Sequence, residues 1–136
     1  MNFHHLGIFV KSIEEGKRLL GETIPIREWD RTFEDAGLHV SVCFGMDASG
    51  IRYELVAPFG EPNPVSGVLS SGRNILNHVA YTVGDMESAM KMLRSAGAIP
   101  MGAPRPAVAF GGANVAFFLT SIGIIIELVE GDGSYA

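Results

Sequence analysis

The sequence predicts an α+β fold built from two tandem βαβββ modules, and three observations carry that prediction. The chain matches itself at an offset of 73 residues, each copy opens on a β-rich stretch followed by an acidic amphipathic helix, and a His and a Glu recur at the same spacing in both copies. His5 falls on His78, Gly7 on Ala80, Val10 on Val83 and Leu20 on Leu93. Further along, Val42 falls on Val115, Glu54 on Glu127, and Leu55–Val56 on Leu128–Val129. Amphipathic helices resemble one another readily. A common offset for two His and two Glu, with no insertion between them, is much harder to obtain by chance.

Taken in order, "HHLGIFV" and "NHVAYTV" alternate and are rich in β-formers, so each opens its module as a strand. Ser12 and Asp85 then stand as helix N-caps before "IEEGKRLL" and "MESAMKMLRSAG", with acidic residues in the first turn and basic ones later, as the helix dipole favours. Gly21 and Gly97 read as C-terminal stops. The first copy continues with three strands, "IREWDRTF", "LHVSVCFGM" and "IRYELVA". The second has a weaker extended stretch near "AIPMGAPRP", then "NVAFFLT" and "GIIIELVE". Between the copies, "PFGEPNPVSGVLSSGRN" is rich in Pro, Gly and Ser and reads as a linker with one short helical turn. The modules therefore span about 1–58 and about 74–136, joined by a linker of about 59–73, in one domain.

A length of 136 residues with 47% apolar and 18% charged residues suits one core-bearing domain rather than a disordered chain. No apolar run is long enough to span a membrane, and "MNFHHLG" is not a secretory signal. The single Cys43 cannot form an internal disulfide, which fits a reducing cytoplasm. A formal charge of −5 without a Lys/Arg cluster argues against nucleic acid as a partner.

The chemistry lies in the repeated pairs. Strand alternation places His5, Gly7 and Phe9 on one face, and Glu54 with Val56 on a face opposite Tyr53 and Leu55. Glu127 sits between Ile126 and Leu128 in one of the most apolar stretches of the chain. A carboxylate buried there must be paired, metal-bound or protonated. Two His and two Glu make a mixed N/O donor set that suits Zn, Co, Ni or Mn in expanded coordination better than a closed structural zinc site.

With "HLGIFV", "YELVAP", "NHVAYTV" and "IIELVEG" in paired modules, the chain resembles the vicinal-oxygen-chelate superfamily of glyoxalase I, extradiol dioxygenases and bleomycin-resistance proteins. Within it, "ELVAPFGEPNPVSGVL" and "PRPAVAFGGANVAFF" are most like the methylmalonyl-CoA epimerase branch. The resemblance implies that the two modules form one curved, cleft-bearing, barrel-like sheet. It also implies one divalent metal held by His5, Glu54, His78 and Glu127, and a cytoplasmic homodimer acting on an acyl-CoA thioester. The implied reaction is metal-dependent epimerisation through an enolate, with a glyoxalase I-like lyase or a ligand-sequestering protein as alternatives. Two proton-transfer groups follow from the same likeness. One is Glu127; the other is the acidic residue before a Gly in "FEDAGLHV", which places Asp35 in that role with Glu34 beside it. Asp35 stands where the family usually carries Glu.

Plainer readings apply elsewhere. His4 faces away from the metal set and reads as structural, His39 as structural or solvent-facing on the third strand, and Cys43 as a core thiol. "EDAG" is also ordinary turn chemistry. Arg105, between two prolines, reads as a loop residue. The rim loop "AVAFGGAN" offers backbone N–H groups for a thioester or carboxylate.

Overall fold

A computed structural model of the chain describes residues 1–72 and 76–134. It divides into two compact units, one of His5–Asn77 and one of Met1–His4 with His78–Ala136. The first strand, β1 (Asn2–Phe9), contributes to both.

In the His5–Asn77 unit, β1 is followed by α1 (Ile13–Thr23), β2 (Ile26–Trp29), β3 (Phe33–Asp35), β4 (Val40–Asp47), β5 (Arg52–Pro58) and α2 (Pro64–Ser70). The strand order is β2-β4-β5-β1, with β3 also on β4. β5 runs parallel to β1 and antiparallel to β4. α1 starts where Ser12 accepts a hydrogen bond from the Glu15 amide at 3.1 Å, which satisfies one of the helix's orphan donors. It then lies close on the sheet at Gly16, where a Cβ would sit 3.0 Å from side-chain atoms of Leu55 and Val10. Gly21 does not stop this helix. The helix continues to Thr23, whose hydroxyl bonds back to the Leu19 and Leu20 carbonyls and closes the last turn without a left-handed residue.

The second unit contains β6 (His78–Val83), α3 (Met86–Ser95), β7 (Ile99–Pro100), β8 (Arg105–Pro106), a 3-10 turn at Val108–Phe110, β9 (Asn114–Leu119) and β10 (Ile125–Glu130). The strand order is β6-β10-β9-β7, with β8 on β9. β10 is parallel to β6 and antiparallel to β9. The start of β1 belongs here because Thr82 donates to the Asn2 carbonyl at 3.4 Å and the Phe3 ring meets Tyr81 edge-on. Asp85 caps α3 through the Ser88 amide, and Gly97 ends it at φ +89°, as the sequence predicts. The Met-rich helix presents Met86, Ala89, Met90 and Leu93 to Ala116, Phe118 and Leu128 in one apolar core.

The α+β class and the tandem arrangement agree with the sequence; besides the stop expected at Gly21, three details of the elements do not. "IREWDRTF" is two strands rather than one, β2 and β3, separated at residues 30–32. "AIPMGAPRP" reduces to the two-residue β7 and β8, because Pro100, Pro104 and Pro106 supply no amide to a ladder. The connecting segment holds a seven-residue helix, α2, where Asn63 accepts from the Val65 and Ser66 amides and Pro64 occupies the first turn. The linker's expected end at residue 73 and the second module's expected start at residue 74 lie outside the described residues. Among the described residues, no helix is long and apolar enough to cross a membrane.

Packing is tight at Gly45 of β4. Trp29, its register partner on β2, lies across it so closely that a Cβ would fall 2.6 Å from the ring. Gly45→Ala should displace Trp29 and cost about 1–3 kcal/mol, the usual range for overpacking. Urea denaturation followed by Trp fluorescence measures both effects, since the chain has one Trp.

Candidate functional site

The site begins with strand register. In the His5–Asn77 unit, Gly7 of β1 lies opposite Glu54 of β5, and His5 is two residues earlier on the same face. Leu55, on the other face, is fully buried against the side where α1 packs. Glu54 is therefore left on the face away from the helix, only 4% exposed, with Gly7 beside it taking no side-chain volume. His5 Nε2 lies 3.3 Å from Glu54 Oε1.

The second unit repeats the arrangement with other residues. Ala80 of β6 lies opposite Glu127 of β10, and His78 is again two residues earlier. Leu128 packs in the core with α3, which leaves Glu127 on the opposite face. His78 Nε2 lies 3.2 Å from Glu127 Oε1, and both residues are 3% exposed.

A further residue of each half was not singled out in the sequence. Phe44 of β4 is the register partner of Glu54, and its ring meets His5 edge-on at 5.3 Å between centroids. Phe117 of β9 is the partner of Glu127 and meets His78 in the same way at 5.7 Å. These rings wall the pairs with apolar surface and restrict the imidazole planes. The signal that reveals them was already in the sequence, because Phe44 and Phe117 are also 73 positions apart.

The donor chemistry fits a metal. Two donors bound to one ion at roughly 2.0–2.2 Å, at angles between octahedral and tetrahedral, lie roughly 2.8–3.6 Å apart. Both His–Glu separations fall in that window, with Nε2 and a carboxylate oxygen facing each other. Each pair thus offers two buried donors of the kind a metal ion takes.

The remaining predicted residues are placed as follows. Asp35 ends β3, is 4% exposed, and accepts a hydrogen bond from the Leu38 amide at 2.9 Å. Glu34, its neighbour, is on the exposed face of the same strand. His4 is buried against Phe110, 5.5 Å between ring centroids. His39 is not on a strand but ends the turn before β4, half-buried, because the chain reverses between β3 and β4 there. Cys43 is fully buried, donates to the Asp30 carbonyl, and has its pKa raised chiefly by burial, as befits a core thiol. Arg105 is exposed on β8. The rim-loop amides are engaged internally: Gly111 donates to Val108, Gly112 to Ala107 and Ala113 to Phe110. The loop closes its own turns with these three of the donors that the sequence suggested for a ligand.

Breaking either pair strands a buried carboxylate. In metal-free protein, His5→Ala and His78→Ala should each cost about 3–5 kcal/mol, as measured by urea denaturation. Exchanging the exposed Glu34 for Gln in the same assay should leave stability nearly unchanged.

A family model of the "Glyoxalase/Bleomycin resistance protein/Dioxygenase superfamily" matches residues 4–117. No protein with curated annotation matches the sequence significantly. Among solved structures, a hypothetical protein from Bacillus halodurans C-125 is similar over 99% of this chain and 97% of its own, with a TM-score of 0.81 and 20% identity. Methylmalonyl-CoA epimerase from Mycobacterium tuberculosis is similar over 96% of this chain and 88% of its own, with a TM-score of 0.78 and 18% identity. A variant of the Streptomyces coelicolor methylmalonyl-CoA epimerase, in complex with 2-nitronate-propionyl-CoA, covers 100% of this chain and 98% of its own, with a TM-score of 0.78 and 17% identity. At such identities the likeness is one of fold. The family match, which takes in most of the chain, together with tandem modules that each bury a His–Glu pair at the same strand register, makes the chain a member of the glyoxalase/bleomycin resistance/dioxygenase superfamily, the vicinal-oxygen-chelate group.

Proposed function

We propose that this protein is a metal-dependent isomerase that epimerises methylmalonyl-CoA or a similar acyl-CoA thioester. In this reading the chain works as a single vicinal-oxygen-chelate domain in a cytoplasmic homodimer. The observation that carries it is the duplicated buried His–Glu pair, at 3.3 and 3.2 Å, with its edge-on Phe. A duplicated donor pair supports one divalent ion, Co, Zn, Ni or Mn, held by His5, Glu54, His78 and Glu127. Support for the substrate class comes from structures of similar fold, one of which is an epimerase in complex with a propionyl-CoA analogue.

A divalent ion there supplies Lewis-acid charge where negative charge develops on a carbonyl oxygen. The protein's own residues then handle the proton. Epimerisation needs removal of the α-proton from one face of the carbon and return of a proton to the other, so two carboxyl groups are required. Asp35 is assigned to one face and Glu127 to the other. Asp35 fits because it is buried and has one oxygen held by the Leu38 amide, so the carboxyl is presented in one orientation. Glu34, exposed on the other face of β3, is assigned no proton transfer. The His–Glu pairs are themselves buried and lie against Phe44 and Phe117, which limits water there and strengthens electrostatic interactions.

Metal analysis, two turnover assays and a ligand-binding measurement test the reading. Elemental analysis of purified protein should find about one divalent ion per chain, lost in both His5→Ala and His78→Ala; full retention in both variants would remove the ligand assignment. Incubation with methylmalonyl-CoA in D₂O should exchange the α-proton, and a chelator should abolish the exchange. Asp35→Asn should lower that rate by roughly two to four orders of magnitude while keeping the metal, and Glu34→Gln should do little. Turnover of methylglyoxal with glutathione instead would assign a glyoxalase-like lyase. Inactivity in both assays together with tight binding of a drug-like ligand would assign a sequestering protein.

A further inference from the structure

His39 has a backbone conformation that is uncommon for a residue other than glycine. Ten glycines among the described residues take positive φ, and His39 is the one other residue that does so, at +58°. The left-handed region costs a side-chain-bearing residue free energy that a glycine would not spend. His tolerates it better than most, yet the chain uses Gly at every other such position described. A side chain retained where Gly is easier points to a job for the side chain.

The ring has one. His39 Nδ1 is hydrogen-bonded to the Pro62 carbonyl; since a carbonyl only accepts, Nδ1 carries the proton. The same residue's carbonyl accepts from the Phe59 amide at 2.9 Å. His39 is thus tied by ring and backbone to the segment between β5 and α2. On its other side it closes the turn 36–39, whose Leu38 amide donates to Asp35 Oδ1 at 2.9 Å. Asp35 and Val40 are register partners on β3 and β4, and Val40 is in turn the partner of Pro58 on β5. The carboxylate, the turn and the Phe59–Pro62 segment form one continuous bracket within a single compact unit.

We infer that His39 is a positioning residue for Asp35: its ring anchors the turn that holds the Asp35 carboxylate in one orientation. The inference rests on the reading of Asp35 as a proton-transfer group. It goes beyond that reading by assigning the group's orientation to a histidine distant in role from the metal set. Nothing in it depends on the ring's ionisation, because a neutral Nδ1–H donor makes the same bond.

The variant that separates conformation from anchoring is His39→Gly, which keeps the left-handed turn and removes only the ring. Were His39 simply a turn residue, Gly would be neutral or stabilising. Amide hydrogen exchange provides a readout that does not require activity. In His39→Gly, protection of the Leu38 amide should fall roughly tenfold or more, as for a local opening, while the amides of β10 stay unchanged. Unchanged protection at Leu38 would overturn the inference. The kinetic readout is the α-proton exchange assay. There His39→Gly should lower kcat roughly ten- to a hundredfold, the cost of a misplaced group, with KM held. The same substitution in an Asp35→Asn background should cost nothing further, since the two act through one carboxyl. Additive losses would also overturn it. If the wild-type protein leaves methylmalonyl-CoA unexchanged, the substrate reading fails by itself, and Leu38 protection still decides the role of His39.

Discussion

Glu54 and Glu127 lie almost wholly buried in strands whose opposite faces pack against helices, and setting an imidazole beside each organises the structure around them. A bare carboxylate in such a place would be costly enough to unfold a marginally stable domain. Each therefore has an imidazole within 3.3 Å, delivered by the neighbouring parallel strand from two residues before the position that faces it. Parallel pairing is what permits this. It fixes the register so that Gly7 and Ala80, small residues, face the carboxylates and leave room for the rings.

The helices contribute by occupying the other face. Leu55 and Leu128 follow the two glutamates immediately, and strand alternation sends them to the side covered by α1 and α3. Gly16 shows how tight that contact is, since the helix approaches to a distance at which even a Cβ meets its neighbours at 3.0 Å. A slip of one residue in either strand would exchange Leu for Glu under a helix. The apolar core and the polar pair thus enforce the same register, and neither can be changed without the other.

Two kinds of carboxylate emerge. Glu54 and Glu127 are held side-chain to side-chain by histidine and walled by Phe44 and Phe117, an arrangement suited to gripping a cation. Asp35 accepts a hydrogen bond from a backbone amide within a turn, which fixes the direction of one carboxylate oxygen. Membership of the vicinal-oxygen-chelate superfamily is consistent with both, and the proposed roles follow the difference in part: Glu54 serves as a ligand, Asp35 in proton transfer, and Glu127 in both.

What the sequence determined by itself was whatever repeats or alternates. The 73-residue offset identified the tandem modules, and the caps Ser12 and Asp85 and the stop Gly97 followed from local chemistry that acts within a few residues. Alternation placed both glutamates opposite the leucines. The three-dimensional structure alone decided what depends on local backbone geometry or on partners distant in the chain. Gly21 carries no mark that separates a helix stop from a helix interior; the Thr23 hydroxyl, bonding to carbonyls of the preceding turn, takes α1 past it. The prolines near residue 100 shorten β7 and β8 only because β9 is the strand they must pair with. The Gly-Gly amides of the rim loop are absorbed by its own turns, a closure that depends on backbone angles no composition reports. His39 is the clearest case. The sequence read it as a structural or solvent-facing strand residue, whereas its left-handed backbone and its bond to Pro62 exist only where β3, β4 and the segment after β5 are brought together.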